Sequence, residues 1–268
     1  PAFLAGLGTI DGNRYCGVLA EPQFGIRQPG TEAVGLLGDW QRLSGHDAGS
    51  GCVVPARAPF TVTGEAGPDR VGNGRLDSGI DGWFGWPDGE LQASWDQGGG
   101  VGGSPGLRVA HRGGGPLVHV DTGIGPVAAG ETYRVRFSAR GESGGSIRVF
   151  LRQAAEPYTE LAPARRVLLA PEATGHELFY TADDGDGSSL LIFELTAPGT
   201  VAWLDDVSVV PVDGSPLTLA DAVTVEANPS AAPRTVTLAG DGTDAAGTVY
   251  RAGQKVALAP YASLVLFV

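Results

Sequence analysis

Short runs of alternating apolar and polar residues fill the middle of the chain. Between residues 131 and 140, Tyr133, Val135 and Phe137 alternate with polar side chains. Two later runs repeat this pattern, and we assign all three odd-numbered sets to the core, the later ones being Ile147, Val149, Leu151, Leu191, Phe193 and Leu195. A period of two residues is typical of a β-strand that turns one face to a core and the other to solvent or a ligand. Gly, Pro and Asp separate these runs, as they do where tight turns join strands. The pattern predicts strands near residues 74–78, 91–95, 106–112, 116–121, 131–140, 145–152, 165–170, 175–182, 188–196 and 200–211.

The two ends of the chain show weaker patterns. Residues 1–62 carry only brief apolar runs, with one or two helical turns at 39–43 that Asp39 is suited to cap. A short strand is expected at 60–63. Further strands are predicted in the C-terminal part, at residues 223–227, 235–238, 247–250 and 262–267. This last part is small for independent stability, so we expect it to pack against another region of the chain.

Composition supports an all-β fold. The 268 residues include 43 Gly and 19 Pro without a collagen-like period, which indicates many tight turns between short strands. Hydrophobic residues make up 42% of the chain, enough for a sizeable core. We predict three regions: a β-rich or loop segment over residues 1–62, a central β-sandwich over 63–212 and a small β-sandwich over 213–268.

Charge narrows the range of partners. The formal net charge is -12 and the isoelectric point is about 4.7. An acidic surface argues against nucleic acid and against anionic membranes as partners. It also argues mildly against strongly anionic polysaccharides, unless arginines cluster locally. No apolar run reaches the roughly 18 residues that a membrane-spanning helix needs.

The start of the chain and its cysteines bear on its location. The chain begins with Pro1 and has no Met, so we expect a processed or excised chain whose signal peptide has been removed. Cys16 and Cys52 are the two cysteines. A disulfide between them in a secreted or extracellular protein would stabilise it by about 4 kcal/mol. The alternative is a pair of unrelated buried thiols.

Two motifs bracket the central region. It opens with Asn-Gly-Arg-Leu-Asp-Ser-Gly from Asn73, followed by Gly-Trp at Gly82, and it closes with Trp-Leu-Asp-Asp-Val-Ser from Trp203. The pair resembles carbohydrate-binding modules of the family 4/9 type, in which the opening reads Asn-Gly-x-Phe-Glu-x-Gly. Here Leu76 and Asp77 replace the aromatic residue and the Glu. The resemblance covers about half of the chain.

This resemblance implies a jelly-roll sandwich that binds a polysaccharide or oligosaccharide without catalysis. It also implies a structural calcium ion between the opening and closing strands. Asp77 occupies the matching opening position, and Asp205 or Asp206 the closing one. Carboxylate oxygens are the ligands that calcium prefers.

A second resemblance concerns the N-terminal segment. Asn13-Arg14-Tyr15, the Trp-Gln pair at Trp40 and the Gly-His-Asp-Ala-Gly-Ser run from Gly45 resemble the last coil of secreted right-handed β-helix proteins. Many of these are glycosidases or polysaccharide lyases. The resemblance implies that the catalytic coils of such a protein would lie upstream of this chain.

Aromatic residues are the first candidates for sugar contact, because flat apolar faces stack on pyranose C–H groups. Trp86 and Trp95 lie in a tryptophan-rich stretch, and Tyr158 follows Pro157. We expect Trp86 and Tyr158 in loops and propose all three as ligand contacts. Trp83 matches a core Trp position of the family, and Trp203, which precedes the Asp-Asp pair, is expected to be packed.

Polar candidates lie on the strands. Arg136, Arg148 and Arg152 fall at comparable positions of strands that we expect to be neighbours, and Glu194 lies on the same type of face. One interpretation is a solvated face on which the Arg stems cover the sheet. The other is a groove in which these residues bind sugar hydroxyls or an acidic sugar.

Signals for catalysis are weak. The chain has no Gly-x-Ser-x-Gly, His-Glu-x-x-His or phosphate-loop motif, and His46-Asp47 is explained by the coil motif.

Three hypotheses about function follow from these patterns. The chain is a non-catalytic carbohydrate-binding part of a secreted polysaccharide-acting protein, or the C-terminal portion of a glycosidase or lyase whose active site lies upstream, or a structural cell-surface domain without sugar affinity.

Overall fold

A computed structural model of the chain describes residues 10–16, 24–28, 31–35, 37–53, 60–87, 93–113, 115–142 and 145–268. The chain divides into two compact units. One unit comprises Val62–Gly214, and the other comprises Pro1–Thr61 together with Ser215–Val268. The predicted division into three regions stays a prediction. No helix among the described residues is long and apolar enough to cross a membrane.

The N-terminal part contains short elements. They are β1 (Arg14–Cys16), β2 (Phe24–Gln28), β3 (Thr31–Gly35), α1 (Leu37–Ser44) and β4 (Gly51–Val53). Strands β1 and β4 pair in parallel, and β2 and β3 form an antiparallel hairpin. The helix predicted at 39–43 is confirmed and is longer than expected.

The central unit consists of longer, mostly antiparallel strands. They are β5 (Phe60–Glu65), β6 (Trp83–Trp86), β7 (Ala93–Asp96), β8 (Gly106–Ala110), β9 (Val118–Val127), β10 (Thr132–Gly141), β11 (Ser146–Gln153), β12 (Arg165–Leu168), β13 (Thr174–Thr181), β14 (Asp186–Leu195) and β15 (Val201–Pro216). One sheet runs β13-β10-β15-β8-β7, with β5 added beside β15. The other, the five-stranded sheet, runs β12-β11-β14-β9-β6. The prediction of an all-β fold with a central jelly-roll sandwich is confirmed.

The core lies between these two sheets. Alternate residues of β10, β11 and β14 supply much of it, and each is at most 2% exposed: Tyr133, Val135, Phe137, Ile147, Val149, Leu151, Leu191, Phe193 and Leu195. These are the residues that the period-two pattern assigned to the interior. The Phe137 and Phe193 rings meet edge to face across the sandwich, 5.0 Å apart. Tyr180 adds a hydrogen bond between the sheets, since its hydroxyl donates to the Val149 carbonyl at 2.7 Å.

The opening motif is a turn that is bonded to the closing strand. The prediction of a strand at 74–78 is wrong. The Asn73 amide donates to the Gly79 and Asp81 carbonyls at 3.1 and 3.0 Å, and such side-chain bonds favour a turn over a ladder. The Gly74 carbonyl accepts the Val207 N–H at 2.9 Å, which joins the two motifs.

The C-terminal part carries the remaining elements. They are α2 (Leu219–Ala222), β16 (Val223–Ala227), β17 (Arg234–Thr237), β18 (Gly242–Thr243), β19 (Val249–Tyr250), β20 (Lys255–Leu258) and β21 (Ser263–Phe267). A four-stranded sheet runs β16-β21-β18-β19, and β17 pairs with β20. Val236, Leu238, Leu258 and Leu266 form its small core. The four predicted strands are present, whereas β18 and β20 were not predicted.

Candidate functional site

One row of side chains crosses four strands of the five-stranded sheet. Trp86 pairs with His119, His119 with Glu194, and Glu194 with Arg148. Residues directly opposite one another in antiparallel strands share a face of the sheet. Their neighbours along the strands belong to the core: Val120, Phe193 and Val149. The row therefore lies on the side of the sheet turned away from the core, which we call the outer face.

Two aromatic side chains stand out on the outer face. Trp86 is 48% exposed, and its ring lies parallel to the His119 ring, with an interplanar angle of 11° and centroids 5.5 Å apart. Phe84, two residues earlier on β6, is 65% exposed. Residues two apart on a strand share a face, so the edge strand carries two rings on this side of the sheet.

Tyr158 lies over the far end of the same face. It is 48% exposed, and the Arg152 guanidinium lies 5.1 Å from its ring centroid. Arg152 is four residues from Arg148 on β11 and so points to the same side. The loop is held against β11 because the Gln153 N–H donates to the Thr159 carbonyl at 3.0 Å. Tyr158 itself adopts φ +57°, an uncommon backbone conformation for an aromatic residue.

The charged groups of the outer face are fixed by one another. Arg148 donates to Glu194 at 3.1 Å and also to Glu160. Burial alone would lower the pKa of Arg148, but hydrogen bonds and charge from Glu160 and Glu194 outweigh it and raise that pKa. His119 lies 3.3 Å from the Asp121 carboxylate. Donors and acceptors held in place in this way are suited to hydroxyl recognition.

Apolar groups fill the space between these polar ones. Ile192 and Phe150 point to the outer face, yet they are 0% and 3% exposed. The Arg148 guanidinium lies 4.3 Å from the Phe150 ring centroid and covers it. The solvated-face interpretation predicted that Arg stems cover the sheet. Arg148 does so in part, and the same face also carries exposed aromatic rings.

Trp95 does not lie on the outer face. It belongs to β7 in the other sheet, where it pairs with the buried Leu107. Ala93, two residues away, is part of the core, so Trp95 also faces inward. Its indole N–H donates to the Leu76 carbonyl at 2.8 Å. The expectation that Trp86 lies in a loop is wrong, because it is on strand β6, and Trp86 and Trp95 do not share a face.

Arg136 is also separated from the other arginines. It lies on β10, and β10 and β11 belong to different sheets. The expectation that Arg136, Arg148 and Arg152 occupy neighbouring strands is therefore wrong. Arg136 forms an ion pair with Glu177 on the adjacent strand β13, at 2.5 Å. The chain crosses from one sheet to the other between residues 141 and 146, which alternation along a strand does not reveal.

Trp83 and Trp203 are both packed, as predicted. Trp83 is 6% exposed, and its indole N–H donates to the Asn73 carbonyl at 2.9 Å. Trp203 is 8% exposed, with the Arg140 guanidinium 3.9 Å from its ring centroid. Its N–H donates to Asp96 at 2.7 Å, and this bond lowers the pKa of Asp96. Both residues stabilise the sandwich.

The predicted calcium ligands have different surroundings. Asp205 is 3% exposed and accepts hydrogen bonds from Val101 N–H and the Ser104 hydroxyl, at 3.0 and 2.6 Å. Asp77 is exposed and lies 3.6 Å from Arg75, and Asp206 is exposed. Among the described residues, no group of three or more His, Cys, Asp or Glu side chains is placed to hold a metal ion. Calcium binding stays a prediction.

The cysteine prediction falls partly outside the described residues. The backbones of β1 and β4 pair, with Tyr15 opposite Cys52 and Cys16 opposite Val53, whereas the two cysteine side chains lie outside the described part. The disulfide therefore stays a prediction.

Phe84, His119 and Asp121 lie on the outer face and were not among the predicted site residues. A signal for two of them was present, because His119 and Asp121 alternate with Val118 and Val120. Phe84 carries no such signal, since β6 reads Trp-Phe-Gly-Trp and is apolar on both faces.

Part of the chain matches a known protein family. Residues 69–200 match the model of the family described as carbohydrate binding domain (CBM_4_9). This match contains all of the outer-face residues named above. No curated protein matches the chain.

Solved structures with a similar fold cover a little over half of the chain. A structure described as "CBM4 structure and function" is 27% identical, with a TM-score of 0.43, and the match covers 53% of this chain and 99% of that one. The N-terminal cellulose-binding domain of a Cellulomonas fimi β-1,4-glucanase C is 22% identical, with a TM-score of 0.42 and coverages of 57% and 100%. A TmCBM61 structure in complex with β-1,4-galactotriose is 14% identical, with a TM-score of 0.40 and coverages of 53% and 98%.

Proposed function

We propose that the central unit binds a polysaccharide or oligosaccharide on the outer face of its five-stranded sheet and carries out no catalysis there. The observation that supports this most is the row of Trp86, His119, Glu194 and Arg148, which places a half-exposed indole in line with fixed charged groups. The family match over residues 69–200 supports the same function.

The outer face offers both kinds of contact that a sugar needs. The exposed faces of Trp86 and Tyr158 provide apolar surfaces for the C–H groups of a pyranose ring. Arg148, whose side chain is 23% exposed, provides donors for hydroxyls, and the buried Glu194 holds it in place. Because these groups are fixed before the sugar arrives, binding loses little side-chain entropy.

The spacing of the aromatic rings indicates an extended ligand. Trp86 and Arg152, which underlies Tyr158, are three strands and four residues apart. At about 4.8 Å per strand and 3.4 Å per residue, their Cα atoms lie roughly 20 Å apart. A ligand that contacts both Trp86 and Tyr158 is therefore an oligosaccharide of several rings.

The test is the affinity of Trp86→Ala for a glycan array and for soluble β-1,4-linked oligosaccharides. Loss of a central aromatic contact typically costs at least about 2 kcal/mol, roughly thirtyfold in Kd. Tyr261→Ala is the matched control, because Tyr261 is 73% exposed and lies in the C-terminal part. It should bind as the wild type does.

Trp95→Phe separates binding from folding. It removes the bond to the Leu76 carbonyl and should lower the melting temperature while leaving the affinity unchanged. Wild-type affinity in Trp86→Ala would remove the site assignment. Absence of binding to every glycan by the wild type would instead favour a structural cell-surface domain.

We also propose a context for this binding unit. The acidic composition and the resemblance of the N-terminal segment to a β-helix coil support a secreted polysaccharide-acting protein with its catalytic part upstream. Retention of the polysaccharide near that part would raise its local concentration. Release of products from a polysaccharide panel by this chain alone would contradict the assignment of catalysis to an upstream region.

Calcium binding is a further proposal, supported by the family resemblance. A cation near the joined motifs would use the exposed Asp77 and Asp206 with backbone carbonyls, because the Asp205 oxygens already accept protein donors. Added calcium should then raise the melting temperature and a chelator should reverse the change, whereas Asp206→Asn should not respond. Equal melting temperatures for the wild type with calcium and with chelator would contradict the proposal.

A further inference from the structure

Trp86 rests on a side chain that a ligand on the outer face cannot reach. His119 is 6% exposed and its ring stacks against the indole, with the two ring planes inclined by only 11°. Asp121, which is 8% exposed, lies 3.3 Å from the Nε2 of His119. Asp121 contacts His119, and His119 contacts Trp86, whose indole is the exposed member of the three.

We propose that His119, oriented by Asp121, is a positioning residue that holds the Trp86 ring in its binding orientation. The proposal rests on the proposed sugar-binding function and names the residue on which the aromatic contact depends. His119 acts through Trp86, since its burial excludes direct contact with a sugar.

The position of Trp86 explains why it needs this support. Strand β6 is at the edge of the five-stranded sheet and pairs only with β9 among the described strands. An indole at an edge has neighbours on one side only, and it loses rotamer freedom when it binds unless something already fixes it. A parallel ring 5.5 Å away fixes its plane, and the indole is still 48% exposed.

The same arrangement recurs at the other aromatic contact. Tyr158 is exposed to the same extent as Trp86, at 48%, and it too has one face against a side chain of the sheet, Arg152. The outer face thus carries two exposed aromatic rings, and each ring contacts a side chain that projects from a strand.

A double-mutant cycle tests the proposal. The variants His119→Ala, Trp86→Ala and the double variant are titrated with cellohexaose and xylohexaose. His119→Ala should weaken binding roughly two- to tenfold in the presence of Trp86, and it should have no effect in the Trp86→Ala background. His119→Phe, which restores a flat ring, should recover most of the affinity. Melting temperatures show whether each variant is folded.

A ligand-free measurement keeps the proposal testable if neither hexasaccharide binds. The order parameter of the Trp86 indole N–H, measured by NMR relaxation, should fall in His119→Ala and Asp121→Asn and stay high in His119→Phe. An unchanged order parameter in His119→Ala overturns the proposal. So does equal weakening by His119→Ala with and without Trp86. If Trp86→Ala itself binds normally, the proposed binding site fails, whatever the order parameter shows.

Discussion

At the scale of single residues, Asp47 shows how a buried carboxylate is kept charged. It is 1% exposed and accepts hydrogen bonds from the side chains of Asn13, Tyr15, Trp40 and Ser50. Burial alone would raise its pKa, but these bonds outweigh it and lower the pKa to about 2. The resemblance to a β-helix coil singled out this run, and the structure explains it as a structural centre of the N-terminal segment.

The consequence for stability can be measured. Asp47→Asn should destabilise this segment by roughly 1–3 kcal/mol at neutral pH, because it leaves buried donors without a charged acceptor. Because the pKa of Asp47 is lower in the folded state than its ordinary value of 3.8, the charged carboxylate stabilises the folded state at pH values above 3.8. This contribution is lost as the pH falls towards 2. The difference in melting temperature between wild type and variant should therefore shrink from pH 5 to roughly pH 2. A constant difference would argue against the role of the charge.

Individual residues differ in how far the sequence predicts them. The burial of Trp83 follows from its place after Gly82 in a motif, and the structure confirms it. The inward face of Trp95 does not follow, because β7 is short and its orientation depends on its pairing with β8. Partner strands are chosen by the whole fold, and a single strand does not specify them.

At the scale of elements, the turn around Gly74 joins the start of the sandwich to its last strand. A Cβ on Gly74 would lie 1.7 Å from the Val207 carbonyl oxygen. That distance is far inside van der Waals contact, so the glycine is required by the close approach of two backbones. This explains the Asn-Gly of the opening motif in physical terms.

Substitution tests this requirement. Gly74→Ala should destabilise the central unit by about 1–3 kcal/mol, because the two segments must move apart. Gly72→Ala is the matched control, since a Cβ there would meet nothing within 4 Å, and it should leave stability unchanged or slightly higher. Urea unfolding of both variants measures the difference. Equal midpoints would show that the opening turn does not need to contact β15.

At the scale of the whole molecule, the sequence predicts which face of a strand a residue occupies better than it predicts which sheet the strand joins. The period-two pattern correctly separates core from outer residues along β10, β11 and β14. It does not show that β10 and β11, consecutive in the chain, lie in opposite sheets. The sheet that each strand joins depends on the packing of both layers, which the alternation along one strand does not encode. The candidate site was therefore predicted with Arg148, Arg152 and Glu194 correctly on one face and Arg136 wrongly beside them.

The pairing of β5 with β15 has a consequence for how such a protein can be built. The chain enters the central unit on one of these strands and leaves it on the other, so entry and exit lie side by side. The Ala66 N–H donates to the Pro211 carbonyl at 2.8 Å at this junction. A unit whose two ends meet can be excised, or exchanged for another of the same kind, with a short splice. Evolution could thus exchange this unit for a different one while the flanking sequence stays the same.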